Sequence, residues 1–141
     1  MKRILVAVDG SDPARRATLR AADLAAKLGC GLTIVHVLPP PPIFSEPAVL
    51  PDMAELERRV YEKGRSLLDE AAAQAARPGL PVDTQLLSGP PGEVIADAAQ
   101  SEEVDFVVVG SRGRTLVGSM LLGGTSHRLI HICKKPILVV H

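Results

Sequence analysis

Residues 3–14 read RILVAVDGSDPA. RILVAV is a short, nearly unbroken apolar run, the pattern of a strand buried on both faces. Asp9 and Gly10 end the run. Ser11 or Asp12 then stands where a helix cap belongs, and Pro13 falls in the first helical turn. A strand covered on both faces that feeds straight into a helix opens a β–α–β unit with a parallel sheet. The basic start and short apolar run are also shared by secretion signals. Here the chain passes into Asp9 and a helix start instead of a cleavage site, so the segment is read as a strand.

Outward from this stretch the alternation repeats. Ala14, Ala17, Ala21, Leu24, Ala25 and Leu28 recur at helical spacing, and Gly29 is placed to end that helix. LTIVHV at 32–37 predicts a second strand. The proline-rich stretch that follows makes 38–51 too long for an ordinary strand-to-helix connection, so it is either a functional loop or a mobile one. Residues 52–77 predict a long helix with Leu56, Val60, Leu67, Leu68, Ala71, Ala72 and Ala75 on one side, stopped by Pro78 and Gly79. VDTQLL at 82–87 alternates apolar and polar residues as a third strand, and a short helix starts near Pro91. VDFVVVG at 104–110 is the fourth and most apolar strand. A helix from about Thr125 ends before Pro136, and PILVV at 136–140 is the last strand. The pattern is one α/β domain over residues 1–141, without internal repeats.

Composition narrows the function. Hydrophobic residues are 46% of the 141, but aromatics are only 2% and Trp is absent. The core is therefore aliphatic, and a stacking platform for nucleic acid is excluded. No run approaches the roughly 18 apolar residues of a membrane span. Cys30 and Cys133 lack a paired spacing, which points to a reducing, cytoplasmic setting. Net charge is zero, yet five of the 16 basic residues and none of the 16 acidic ones lie beyond Asp105. Those five are Arg112, Arg114, Arg128, Lys134 and Lys135. A wholly cationic end suits an anionic ligand, although Lys134 and Lys135, near a helix C-terminus, are better read as a solvated match to the helix dipole.

Residues 110–126, GSRGRTLVGSMLLGGTS, fit that ligand. In open parallel sheets ligands bind beyond the carboxyl ends of the strands, where the chain order reverses. The first strand exits through Asp9-Gly10-Ser11 and the fourth through Gly110-Ser111-Arg112-Gly113. If the two strands are neighbours, their exits form one crevice. Glycines let main-chain amides approach a phosphate, and the helix start at Gly123-Gly124-Thr125-Ser126 adds more amides. Arg112 and Arg114 add positive charge. No lysine follows the glycines as in a Walker loop, and the spacing is not that of a dinucleotide fingerprint. A phosphoacceptor receiver site is rejected, because its third strand would end in aspartate and this one ends in Leu87-Ser88. Ser11, Ser111 and Ser119 have no Asp–His framework for hydrolase chemistry. His127 and His131 stand i, i+4, as a metal pair would, but no third ligand is evident; His127 alternatively sits beside a phosphate.

These residues resemble the universal stress protein family, and the resemblance spans essentially the whole chain. It is carried by ILVAVDGS, LTIVHV, SGPPGEVI and the terminal KPILVV. Its most specific part is the nucleotide motif Gly-x2-Gly-x9-Gly-[Ser/Thr], matched by Gly110, Gly113 and Gly123, with Gly124 in place of the final hydroxyl residue. The resemblance implies a three-layer, flavodoxin-like (adenine nucleotide alpha hydrolase-like) open parallel sheet of five strands in the order 3-2-1-4-5. It implies binding of ATP, or AMP or ADP, accompanied by Mg2+ or Mn2+ held mainly by the phosphates. Ala7, Val8 and Asp9 would flank the adenosine, and Val37 would contact adenine through its backbone. Gly110 and Gly113 would approach ribose and phosphates, with Ser111, Arg112 and Arg114 beside them, and Gly123, Gly124, Thr125 and Ser126 would hold the phosphate tail. It further implies a homodimer paired through residues 136–140, and a cytoplasmic, nucleotide-dependent stress-response switch acting on a protein partner the sequence does not name. A nucleotide-free scaffold and a slow ATPase are the alternatives, and Asp9 is the one visible base.

Overall fold

The computed structural model describes residues 1–40, 52–111 and 123–141. Its strands are β1 (Arg3–Ala7), β2 (Gly31–Leu38), β3 (Val82–Ser88), β4 (Val104–Gly110) and β5 (Ile137–Val140); its helices are α1 (Asp12–Leu28), α2 (Met53–Ala75), α3 (Pro91–Ala99) and α4 (Gly124–Ile132). β1 occupies the middle of a sheet ordered β3-β2-β1-β4-β5, and every pairing is parallel. This is the order the family resemblance implied.

The strand period of two builds the layers. Ile4 and Val6 of β1 point to one face, where they pack with Leu32, Ile34 and Val108 against α1 and α2. Leu5 points to the other, where it joins Val35, Val107 and Val109 against α3 and α4. Both faces are covered, which is why β1 reads as a continuous apolar run. At the edges β3 alternates half-buried and exposed residues, and β5 leaves Leu138 exposed.

α1 starts as its sequence prescribes. The Ser11 hydroxyl accepts from the Ala14 amide at 3.3 Å, and Gly29 closes the helix in the left-handed region at φ 66°. Its buried face is Ala14, Ala17, Thr18, Ala21, Ala22 and Ala25, so the helix lies close on the sheet. Leu28, expected in that stripe, is instead exposed at the helix end. α2 seats only its second half firmly. Leu68, Ala71 and Ala75 are buried, whereas Leu56 and Val60 are half-buried. It packs closely on the sheet at Gly64, where a Cβ would lie 3.0 Å from the side chains of Leu38 and Leu86.

Candidate functional site

The direction of the crossovers creates the crevice. From β1 the chain leaves through α1 on one face; from β4 it leaves through α4 on the other. The two exits diverge between adjacent strands, the place where open parallel sheets bind ligands.

The β1 exit is held by main-chain and short side-chain bonds. The Val8 amide donates to Val35 O at 2.9 Å, and Val8 O accepts from His36 Nδ1 at 2.8 Å. A carbonyl only accepts, so the buried His36 ring carries its proton on Nδ1. His36 escaped the sequence analysis; its signal was a polar residue inside the apolar run LTIVHV. Asp9 Oδ1 accepts from the Ser11 amide at 3.0 Å, so this carboxylate shapes the turn that delivers Ser11 to its capping position. Ala7 and Val37, both half-buried, pack on the α3/α4 side of the sheet. On the α1/α2 side a cavity of about 70 Å³, lined by Val8, Ser11, Thr18 and Gln74 among others, is too small for a nucleotide.

The β4 exit is packed more tightly than a ligand-facing glycine requires. A Cβ on Gly110 would lie 2.7 Å from the Pro13 carbonyl carbon and 2.8 Å from the Ala14 nitrogen. The missing side chain at Gly110 therefore admits the first turn of α1. Ser111 is buried; its amide donates to Val140 O at 2.8 Å, and its carbonyl accepts from the Gly123 amide at 2.6 Å. The Ser126 hydroxyl, also buried, donates to Gly110 O at 2.7 Å. These bonds tie the start of α4 to the end of β4. They also occupy the Gly123 amide and the Ser126 hydroxyl, two groups that the family resemblance assigns to phosphate.

What α4 presents outward is its own beginning. No side chain caps it among the described residues, and its first internal bond is the His127 amide to Gly123 O at 2.9 Å. The amides of Gly124, Thr125 and Ser126 precede that bond and have no partner within the helix. Gly124 and Thr125 are exposed, and the first turn carries no carboxylate. Such an end attracts an anion through its donors and through the helix dipole. The nearby Arg128 contributes little free charge, because it pairs with Glu93 at 2.8 Å and holds that carboxyl below the usual range. Arg112, Gly113 and Arg114 lie outside the described residues, as do residues 41–51. Among the described residues no cluster of three or more metal-ligating side chains occurs, and no helix is long and apolar enough to cross a membrane.

Thus Val8, Asp9, Gly110, Ser111 and Gly123 to Ser126 gather at one end of the sheet, with Ala7 and Val37 beside them. The sequence profile described as the universal stress protein family matches residues 1–141. A universal stress protein of Thermus aquaticus is 37% identical over 139 residues, covering 99% of this chain and 98% of its own. Among solved structures, a universal stress protein from Archaeoglobus fulgidus superposes with a TM-score of 0.79 at 24% identity, covering 100% of this chain and 99% of its own, a likeness of fold. A universal stress protein in complex with cAMP superposes with a TM-score of 0.73 at 25% identity, covering 99% of this chain and 97% of its own.

Proposed function

The chain belongs to the universal stress protein family, and from that premise we propose that it binds an adenine nucleotide, ATP foremost, as a cytoplasmic regulatory switch. The observation that carries this reading is the start of α4 at the crevice between β1 and β4, whose first turn holds no carboxylate and which no side chain among the described residues caps. The amides of Gly124 and Thr125, with the Thr125 hydroxyl, take the phosphate tail. Ala7 and Val37 offer half-buried apolar surface to the adenosine, with Val8 and Asp9 at its edge. Arg112, Gly113 and Arg114, outside the described residues, are the remaining candidates for contact with ribose and phosphates, and Mg2+ or Mn2+ arrives bound to phosphate oxygens. The relative bound to cAMP supports the adenine preference. Binding changes the surface that this end of the sheet presents to a partner protein.

The test is thermal unfolding with ATP and Mg2+ at about 1 mM, alongside GTP. If the dissociation constant is about 10 μM, ATP stabilises the fold by about 2.7 kcal/mol, and GTP does less. No shift with any nucleotide would leave the scaffold alternative, which the internal use of the Gly123 amide and the Ser126 hydroxyl favours. Slow hydrolysis, if present, depends on Asp9 and is lost in Asp9→Ala by phosphate release. The same proposal includes a homodimer through the outer edge of β5, which pairs with β4 on its other side and exposes Leu138. Light scattering at micromolar concentration is expected to return two chains.

A further inference from the structure

The nucleotide site uses the first turn of α4 and leaves its exposed histidine face without a role. His127 and His131 stand one helical turn apart, both exposed, with ring centres 4.7 Å apart and ring planes at 72°. We propose that this pair is a two-point site for a divalent transition cation of the zinc, nickel and copper class, distinct from the cation that accompanies nucleotide.

The ring spacing carries the assignment. With metal–nitrogen bonds of about 2.0–2.1 Å, two imidazoles bound side by side to one ion keep their ring centres about 4.5 Å apart at a right angle and about 5.2 Å apart at the tetrahedral angle. The observed separation of 4.7 Å falls between these values, so both exposed rings already stand at a spacing that one ion can bridge. The angle between the planes is no obstacle, because each ring turns about its own metal–nitrogen axis. Imidazole suits zinc, nickel and copper, whereas Mg2+ prefers oxygen ligands. The nearest cationic side chain along the helix, Arg128, is paired with Glu93, which reduces its repulsion of an incoming ion. With two protein ligands the ion keeps open positions for water, which gives a weak, exchangeable site instead of a structural one. Its consequence is local: a cation bridging His127 and His131 staples α4 across one turn and firms the helix whose first amides face the crevice.

The test is calorimetric titration of the full, nucleotide-free chain with Zn2+ at neutral pH, beside the variants His127→Gln, His131→Gln and His141→Ala. The glutamine variants keep good helix formers at exposed positions. One ion per chain is expected, with affinity reduced about tenfold or more in either glutamine variant and unchanged in His141→Ala. Amide exchange across residues 127–132 is expected to slow on adding Zn2+. Absence of Zn2+ binding to the parent chain overturns the proposal. So does affinity that survives both glutamine variants, or that disappears in His141→Ala. Because no nucleotide is present, this outcome is separate from that of the ATP test.

Discussion

The two ends of the sheet solve different problems. At the amino end, long charged side chains tie strands together. The Asp105 carboxylate accepts from the amides of Lys2 and Arg3 at 2.6 and 3.0 Å, where the β1–β4 register shifts between Arg3 and Ile4. The Arg3 guanidinium donates to Leu32 O at 3.2 Å and Thr33 Oγ1 at 3.1 Å and pairs with Asp83, spanning β1 to β3. Lys135 Nζ donates to Val104 O at 2.7 Å. At the carboxyl end the residues are short, and most bonds involve main chain: Val8 to Val35, Ser111 to Val140, Gly123 to Ser111. One end spends its charge on internal ties; the other keeps side chains small so that backbone amides meet the surface. The starts of α1 and α4 both lie at this second end, but α1 is capped by Ser11, whereas no side chain among the described residues caps α4. Of the two positive helix poles, α4 is therefore the better offered to a ligand.

The strongest way to break this contrast is to put a side chain into the carboxyl end. Gly110→Ala places its methyl group against the main chain of Pro13 and Ala14, and neither atom is the free end of a flexible group. The β4 exit or the α1 start must shift. The expected cost is about 2–3 kcal/mol, as for other overpacked sites, read as a lower urea midpoint with unchanged slope. Nucleotide affinity should fall as well, because Gly110 O anchors Ser126 and with it the start of α4. An alanine variant of parental stability would mean that the two exits are not rigidly apposed.

Gly124 offers the opposite experiment. Among the described residues a Cβ there meets nothing within 4 Å, so Gly124→Ser asks none of them to move. It restores a hydroxyl at the last position of the phosphate motif, beside the outward amides. ATP affinity should rise about fivefold, the worth of roughly 1 kcal/mol in one added hydrogen bond. The free protein should change by less than about 0.5 kcal/mol. Unchanged affinity would place the phosphates away from this turn. Glycines with similar motif roles thus divide: Gly110 serves packing, and Gly124 meets no neighbour among the described residues.

That division marks how far the sequence could be read. The Ser11 cap and the Gly29 stop follow from local rules that act within a few residues, whereas the strand order was implied by the family resemblance and not by any local pattern. The stripe on α2 was harder, because Leu56 and Val60 fit the periodicity but sit beyond the firmly packed half of the helix. Gly64 carried no local signal of its role, and His36 only that of a polar residue inside an apolar strand. Each depends on how closely α2 and the β1 exit approach β2, a distance set by tertiary packing. The internal partners of Gly123 and Ser126 were hidden for the same reason, since a motif gives residue types and spacing but not which donors the fold has already used.

The smallest expected effect tests the amino end. Asp105 accepts two amide hydrogen bonds, from Arg3 and from Lys2, and these hold its carboxyl below the ordinary value of 3.8. A carboxylate whose folded pKa is depressed contributes stability that is fully present above its unfolded pKa. That contribution is lost as pH falls through the folded value. Asp105→Asn keeps an acceptor oxygen and removes the charge. The parent should therefore exceed the variant in urea midpoint at neutral pH, with the gap closing once pH drops below about 3.9, the unfolded carboxyl pKa. A gap that stays constant from neutral to acid would show that the tie between β1 and β4 owes nothing to charge. Nucleotide affinity should be equal in the two proteins at neutral pH, because Asp105 lies at the opposite end of the strands from the crevice. Unequal affinity would mean that the two ends are coupled through β4, and the contrast between a clamped end and a binding end would become a single mechanical unit.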